Sequence, residues 1–177
     1  HVADLNGVVA GFAGLLKQDG RVVVEAPYLK DLIDNVEFDT IWHEHLCYFS
    51  LTALSHVFAS HGLDIVDVER LSIHGGSLRI YAAHTGTAQP SAAVIQLMAE
   101  ESEWVFDEAT HQEFADRVEN LRVQLTTRLE QLKAEGHRIA VYGASAKGST
   151  LLNYFGIDES IIDYVVDRST VKQGRFT

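Results

Sequence analysis

Hydrophobic periodicity switches repeatedly along this chain between the three-to-four spacing of helices and short unbroken apolar runs. Few fold classes accommodate that alternation. Residues 2–16 carry Val2, Leu5, Val9, Phe12, Leu15 and Leu16 along one helical face. Gln18-Asp19-Gly20 stops that helix, and 21–25 follows as a strand built on three valines and ended by Pro27. The valine run does not alternate, so it is expected to be covered on both faces, as in a parallel sheet. After a long loop, Leu51, Leu54, Val57 and Phe58 mark a second amphipathic helix over 50–61, closed by Gly62 at C′. Residues 63–71 and 77–83 then read as two strands around a turn carrying Gly75-Gly76, an antiparallel pair. The order fits the last third of a doubly wound α/β sheet finished by an antiparallel hairpin.

A polar connector over 84–91 holds the second of two prolines, and is the best domain boundary. A helical stretch over 92–106 follows, then a fresh start at Thr110-His111-Gln112-Glu113, whose Thr and Glu have capping-box spacing. Phe114, Val118, Leu121, Leu125, Leu129 and Leu132 continue a packing helix until Gly136. From Arg138 the pattern becomes a short buried strand over 139–142, a small-residue turn over 143–148, a helix opening over 149–154 and a strand over 161–166. This is a strand–turn–helix–strand unit, the start of a Rossmann-like domain. It reaches Thr177 with at most two strands laid down, and the chain begins at His1 rather than Met, so a piece of a longer protein is expected.

Charge and cysteine content narrow the function classes. Fourteen Lys and Arg against 25 Asp and Glu give a formal net charge of −11. That argues against non-specific nucleic-acid binding and against docking on anionic lipid, both of which need a basic surface. The single cysteine, Cys47, forbids an internal disulfide and a Cys-rich zinc site, which points to a reducing cytoplasm. No apolar run reaches the ~18 residues of a membrane span.

Three clusters could carry chemistry. The densest is Trp42-His43-Glu44-His45. A His beside a Glu can act as a general base, because the carboxylate can orient the imidazole and stabilise its protonated form. A metal site built on His43 and His45 competes, although no HExxH spacing exists and a third ligand must come from elsewhere. A solvated polar loop is the third reading. If the loop is extended, His43 and His45 share a face and either could be the base; a direct Glu44–His45 pair needs a turn. The second cluster is Ile73-His74-Gly75-Gly76-Ser77-Leu78-Arg79, where Arg79 could hold a phosphate or carboxylate bidentately, or the segment is an ordinary hairpin turn. The third is Gly143-Ala144-Ser145-Ala146-Lys147-Gly148, which matches GxGxxG except for Ser145, with Asp167 placed 24 residues after Gly143. Lys147 at a helix N-terminus suits an anionic ligand, since a cation there is otherwise slightly unfavourable.

Taken together, the motif over 38–50 (Phe-Asp-Thr-Ile-Trp-His-Glu-His-Leu-Cys-Tyr-Phe-Ser), His74-Gly-Gly-Ser-Leu-Arg79, and Tyr142-Gly-Ala-Ser-Ala-Lys-Gly-Ser-Thr-Leu-Leu-Asn-Tyr-Phe-Gly156 resemble the S-adenosylmethionine (SAM)-dependent C-methyltransferases. The best-known members of that family act on sugar nucleotides in deoxysugar biosynthesis. Asp167-Arg168 and Lys172-Gln-Gly-Arg-Phe176 match the family's tail. The resemblance implies that 1–84 is the C-terminal part of a methyltransferase domain, 85–135 a connector with long helices, and 136–177 the start of a Rossmann-like C-terminal domain. It also places the family's zinc-binding cysteines and its glycine-rich SAM loop upstream of His1, so no metal is expected in this chain. Residues 1–177 alone are expected neither to bind SAM nor to be active.

The chemistry so implied is methylation of a carbon beside a ketone, on a nucleotide-linked keto-deoxysugar. By the resemblance, His45 is the base with Glu44 beside it, and His1 lies near the substrate. Trp42 stands where the family usually has Tyr, and an indole N–H can donate but not exchange a proton. His43, Arg79 and Lys147 join Trp42 on the substrate side, with Arg79 and Lys147 toward the diphosphate. Cys47 stands where Ser is common and is expected to be a small packing residue. Other readings of the same residues are a nicotinamide-dependent oxidoreductase using the 143–148 turn, a metal hydrolase on His43 and His45, and a helical interaction module over 92–135. The oligomeric state is left open.

Overall fold

The structure is a computed structural model, and it describes residues 1–175. Its elements in chain order are α1 (Leu5–Leu15), β1 (Val22–Pro27), α2 (Leu29–Asp34), α3 (Leu51–Ala59), β2 (Leu63–Leu71), β3 (Ser77–His84), α4 (Ala92–Glu101), α5 (Glu108–Ala134), β4 (Ala140–Tyr142), α6 (Ala146–Phe155) and β5 (Tyr164–Val166). Phe176, the end of the tail motif, lies outside the described residues. The chain divides into two compact units, His1–Glu37 with Leu46–Gln112, and Phe38–His45 with Glu113 onward. The mixed α/β class is as expected, with an antiparallel hairpin, a helical stretch and a parallel strand–helix–strand unit.

In the first unit, a three-stranded sheet has the order β1-β3-β2, with β3 central and antiparallel to both neighbours. The hairpin β2–β3 has the sequence-predicted limits to within a residue. Its turn is tight enough that His74, Gly75 and Gly76 all take positive φ. A Cβ on Gly75 would meet the Glu37 carboxylate, and one on Gly76 the Asp31 side chain. The positive φ calls for glycine at both positions, and at Gly76 the Asp31 Cβ also leaves no room for a side chain.

The valine strand departs from expectation. β1 pairs antiparallel with β3, and its residues alternate between half-buried and exposed. An apolar run reports burial only when both faces are covered, and here one face of β1 is open, with Val23 half exposed.

Helices α3 and α4 pack on β2 and α1 packs on α3, burying Val9, Leu54, Phe58, Ile65, Val94 and Leu97. Three of the orphan N–H groups at the start of α3, those of Leu51, Thr52 and Ala53, are satisfied by side chains, and Leu54 makes the first regular helix bond. Ala53 N–H donates to Ser50 Oγ (3.1 Å) and Leu54 N–H to the Ser50 carbonyl. Leu51 and Thr52 N–H each donate to the carboxylate of Glu101, at 2.6 Å. Glu101 is completely buried at the end of α4, and Thr52 Oγ1 donates to it as well. Burial, and then the Glu101 charge and hydrogen bond, push the Tyr28 phenol far above its ordinary pKa.

In the second unit, β4 and β5 pair in parallel across α6. The helix starts at Ala146 rather than 149, because Ser145 Oγ caps it by accepting from Gly148 N–H at 3.0 Å. The last strand is shorter than the expected 161–166. Asp158 winds the chain before it into a turn, accepting from Ser160 N–H and from Ile162 N–H through its carbonyl. Upstream, α4 ends at Glu101 and α5 starts at Glu108. The expected capping box at Thr110 does not cap: Asp107 accepts from both the N–H and the hydroxyl of Thr110, so the helix begins earlier. No helix among the described residues is long and apolar enough to cross a membrane.

Candidate active site

The segment Phe38–His45 is turned, not extended. Residues Phe38–Thr40 form a single 3-10 turn, with Ile41 N–H donating to the Phe38 carbonyl at 2.9 Å. A second turn closes when His45 N–H donates to the Trp42 carbonyl, again at 2.9 Å. The alternation that would put His43 and His45 on one face therefore does not apply. Two contacts fix the His45 ring. Its Nδ1 lies 2.8 Å from the Thr40 carbonyl, and its ring leans against the Trp42 indole, tilted by 33° with ring centres 3.9 Å apart. A carbonyl can only accept, so Nδ1 carries a hydrogen and the neutral ring has its lone pair on Nε2. His43 and Glu44 are exposed at the tip of the turn, and His45 is half-buried.

Trp42 contributes a further feature. Its Nε1 is buried and has no hydrogen-bond partner among the described residues. Buried donors are nearly always paired, so this N–H is available to an acceptor that the described residues do not supply. Among the described residues no third His, Cys, Asp or Glu joins His43 and His45 in a group that could hold a metal. Cys47 is exposed rather than a packing residue, because the chain between the turn and α3 runs at the surface.

Arg79 lies in the first unit, in the middle of a ladder across all three strands: its Cα partners are Glu25 on β1 and Glu69 on β2. Its Nε and one Nη donate to Glu25 at 2.7 and 2.5 Å, and the other Nη reaches Glu69 at 3.3 Å. Glu69 also accepts from the Tyr81 hydroxyl. The Glu25 hydrogen bond holds the Arg79 pKa above its ordinary value. The guanidinium is thus already paired by two carboxylates. His1 precedes α1 in the same unit and is exposed.

Lys147 lies in the first turn of α6, exposed, in the second unit. Beside that helix end is an open cleft of about 290 Å³ whose lining includes Gly143, Ser145, Ser149, Lys172 and Arg175. Lys147 is not on its wall. Asp167, the acid at ribose-binding spacing, turns back instead. It accepts from Ser169 N–H at 2.7 Å and Ala144 N–H at 2.8 Å, which hold its carboxyl below the usual range. Lys172 Nζ donates to the Ala144 carbonyl at 2.5 Å. Ser145 fills the helix end and Asp167 is committed to the turn's backbone, so nothing here supports the dinucleotide reading.

Sequence reasoning missed two residues that shape these sites. Glu101 was detectable, since Val94, Leu97 and Glu101 recur along one face of α4 and an acid in an apolar stripe needs donors. The carbonyl of Thr40, which sets the His45 tautomer, carries no side-chain signal.

Residues 72–177 match the family model described as the C-methyltransferase C-terminal domain. The chain is also similar to the C-methyltransferase NovU of Streptomyces niveus, with 42% identity over 177 residues. That match covers 99% of this chain and 42% of the relative, so the chain spans about two-fifths of the relative's length.

Proposed function

Since the chain belongs to the C-methyltransferase family, we propose that it is part of a SAM-dependent enzyme that methylates a carbon beside a ketone on a nucleotide-linked keto-deoxysugar. The observation that carries this reading is the His45 geometry. A ring whose Nδ1–H is held by the Thr40 carbonyl at 2.8 Å presents Nε2 as its basic atom. In this reading Nε2 takes the proton from the carbon next to the ketone. The resulting imidazolium keeps its Nδ1–H on Thr40, and a hydrogen bond to a charged donor is the stronger one. The Trp42 indole against the ring adds cation–π attraction to the charged form.

Enolate formation also places negative charge on the former ketone oxygen, which needs a donor. Trp42 Nε1–H, buried without an acceptor among the described residues, suits that oxygen or a neighbouring hydroxyl. Glu44 and His43 stand beside the base, and His1 is assigned to the substrate side on the family resemblance. Arg79 already holds two carboxylates, so the diphosphate is assigned to Lys147. The described residues do not fit SAM itself: the glycine-rich turn at 143–148 is closed by Ser145 and Asp167, and the Gly75-Gly76 turn by Glu37 and Asp31. The cofactor, which supplies the methyl group, and the family's zinc are assigned to sequence outside residues 1–177. A cytoplasmic location accords with the single cysteine.

The test is solvent exchange in the full-length protein without SAM, following deuterium entry beside the ketone of a thymidine diphosphate-linked keto-deoxyglucose. General bases contribute ~10²–10⁴-fold. His45→Ala should abolish exchange and methylation together, while His43→Ala leaves exchange largely intact. The reverse outcome moves the base to His43, and intact exchange in both removes the motif from the chemistry.

A further inference from the structure

The eight residues Phe38–His45 leave the first unit at Glu37 and rejoin it at Leu46, yet they cluster with the second unit. What holds them there is aromatic. The Phe38 ring, nearly buried, lies on Phe155 of α6 with centroids 5.0 Å apart and planes 21° from parallel. Tyr154, the preceding residue, approaches the same ring at 5.5 Å. Phe155 is 3% exposed and is the last residue of its helix. The helix end is itself pinned: Gly156 takes the left-handed conformation, with Gly156 N–H on Asn153 and Ile157 N–H on Leu152.

From the Phe38 ring to the His45 imidazole the path is short and bonded at each step. Phe38 accepts from Ile41 N–H, Trp42 accepts from His45 N–H, and Thr40 holds the imidazole Nδ1. The segment has no α-helix or strand of its own, and the Phe38 ring ties it to α6. The geometry points to Phe155 as a positioning residue for His45, acting through Phe38, and to α6 as the element by which the C-terminal unit places the base. This rests on the reading of His45 as base.

The position of the turn can be measured apart from the chemistry. In full-length protein labelled with 5-fluorotryptophan, the Trp42 resonance is assigned by Trp42→Phe and followed beside that of Trp104. Phe155→Leu keeps an apolar group at the buried site but removes the stacking ring. It should shift or broaden the Trp42 signal and leave the Trp104 signal in place. Deuterium entry into the thymidine diphosphate-linked keto-deoxyglucose should fall on the order of 10²-fold, the cost of misplacing a reacting group by about an ångström. Affinity for that compound should stay within about twofold, as expected when only placement of the reacting group changes.

Trp42 signals and exchange rates equal to wild type in both Phe155→Leu and Phe155→Ala would overturn the inference. So would a shift of Trp104 in step with Trp42, which marks general loosening, or a loss of affinity matching the loss of exchange. Intact exchange in His45→Ala would instead dismiss His45 as base. The Trp42 resonance would then still decide whether α6 holds the turn.

Discussion

Removing the Glu101 carboxylate should destabilise the first unit as much as the most costly truncations of an apolar core side chain. The side chain is completely buried and accepts from Leu51 N–H, Thr52 N–H and Thr52 Oγ1, each at 2.6 Å. Leu51 is itself fully buried, so its N–H has no route to water if the acceptor goes. A stranded buried donor costs ~1–3 kcal/mol, and hydrogen bonds to a charged group sit at the upper end. Two backbone donors and the Tyr28 hydroxyl together put Glu101→Ala at about 3–5 kcal/mol, the upper tail for one substitution. Total stability for such a domain is ~5–15 kcal/mol. At ~4–8 °C per kcal/mol for a unit of about 100 residues, Tm should drop by at least ~12 °C.

Glu101→Gln keeps one carbonyl acceptor but turns an NH₂ toward the second donor, so it should cost roughly half as much. The assay is urea unfolding followed by Trp104 fluorescence, in a Trp42→Phe background. Trp104 packs edge-on against Tyr28 at 6.3 Å and reports this part of the core. If both variants stay within ~0.5 kcal/mol of the parent, the carboxylate is not the cap of α3 and the accounting above is wrong.

Asp167 makes a pH prediction for the second unit. Its carboxyl is held below the usual range, first by Ser169 N–H and then by Ala144 N–H. The stability so contributed is present above the unfolded value near ~3.9 and lost as pH falls through the folded one. Asp167→Asn should therefore lower stability at pH 7 and flatten the acid limb of thermal melts; an unchanged acid slope would count against the Asp167 clasp. For substrate binding, Lys147→Ala should raise KM for the nucleotide-linked sugar tenfold or more with kcat unchanged, the loss of a charge-assisted phosphate contact. Arg79→Ala should leave KM alone, and a matching rise would return the diphosphate to Arg79.

What the amino-acid sequence determined by itself is what local chemistry settles. The limits of the β2–β3 hairpin were legible because alternation and two glycines are short-range signals. The motif at Trp42-His43-Glu44-His45 and the family resemblance were legible as residue strings. Where two local signals competed, the sequence could not choose: Asp107 and Thr110 are both capable caps, and only the packed helix takes Asp107. Short elements such as α2, with six residues, show too few turns for periodicity to register.

Only the tertiary structure decided the non-local facts. The valines of β1 pair antiparallel because β3, some 55 residues on, inserts between β1 and β2. Arg79 closes a ladder with Glu25 and Glu69 because that register sets all three on one row. The tautomer of His45 depends on a backbone carbonyl that a turn brings within 2.8 Å. Phe38, in the same turned segment, meets Phe155 more than 100 residues away. Side-chain identity encodes propensity and chemistry at a position; which groups meet depends on how the whole chain closes around its core, and contacts across that distance leave no pattern in a sequence window.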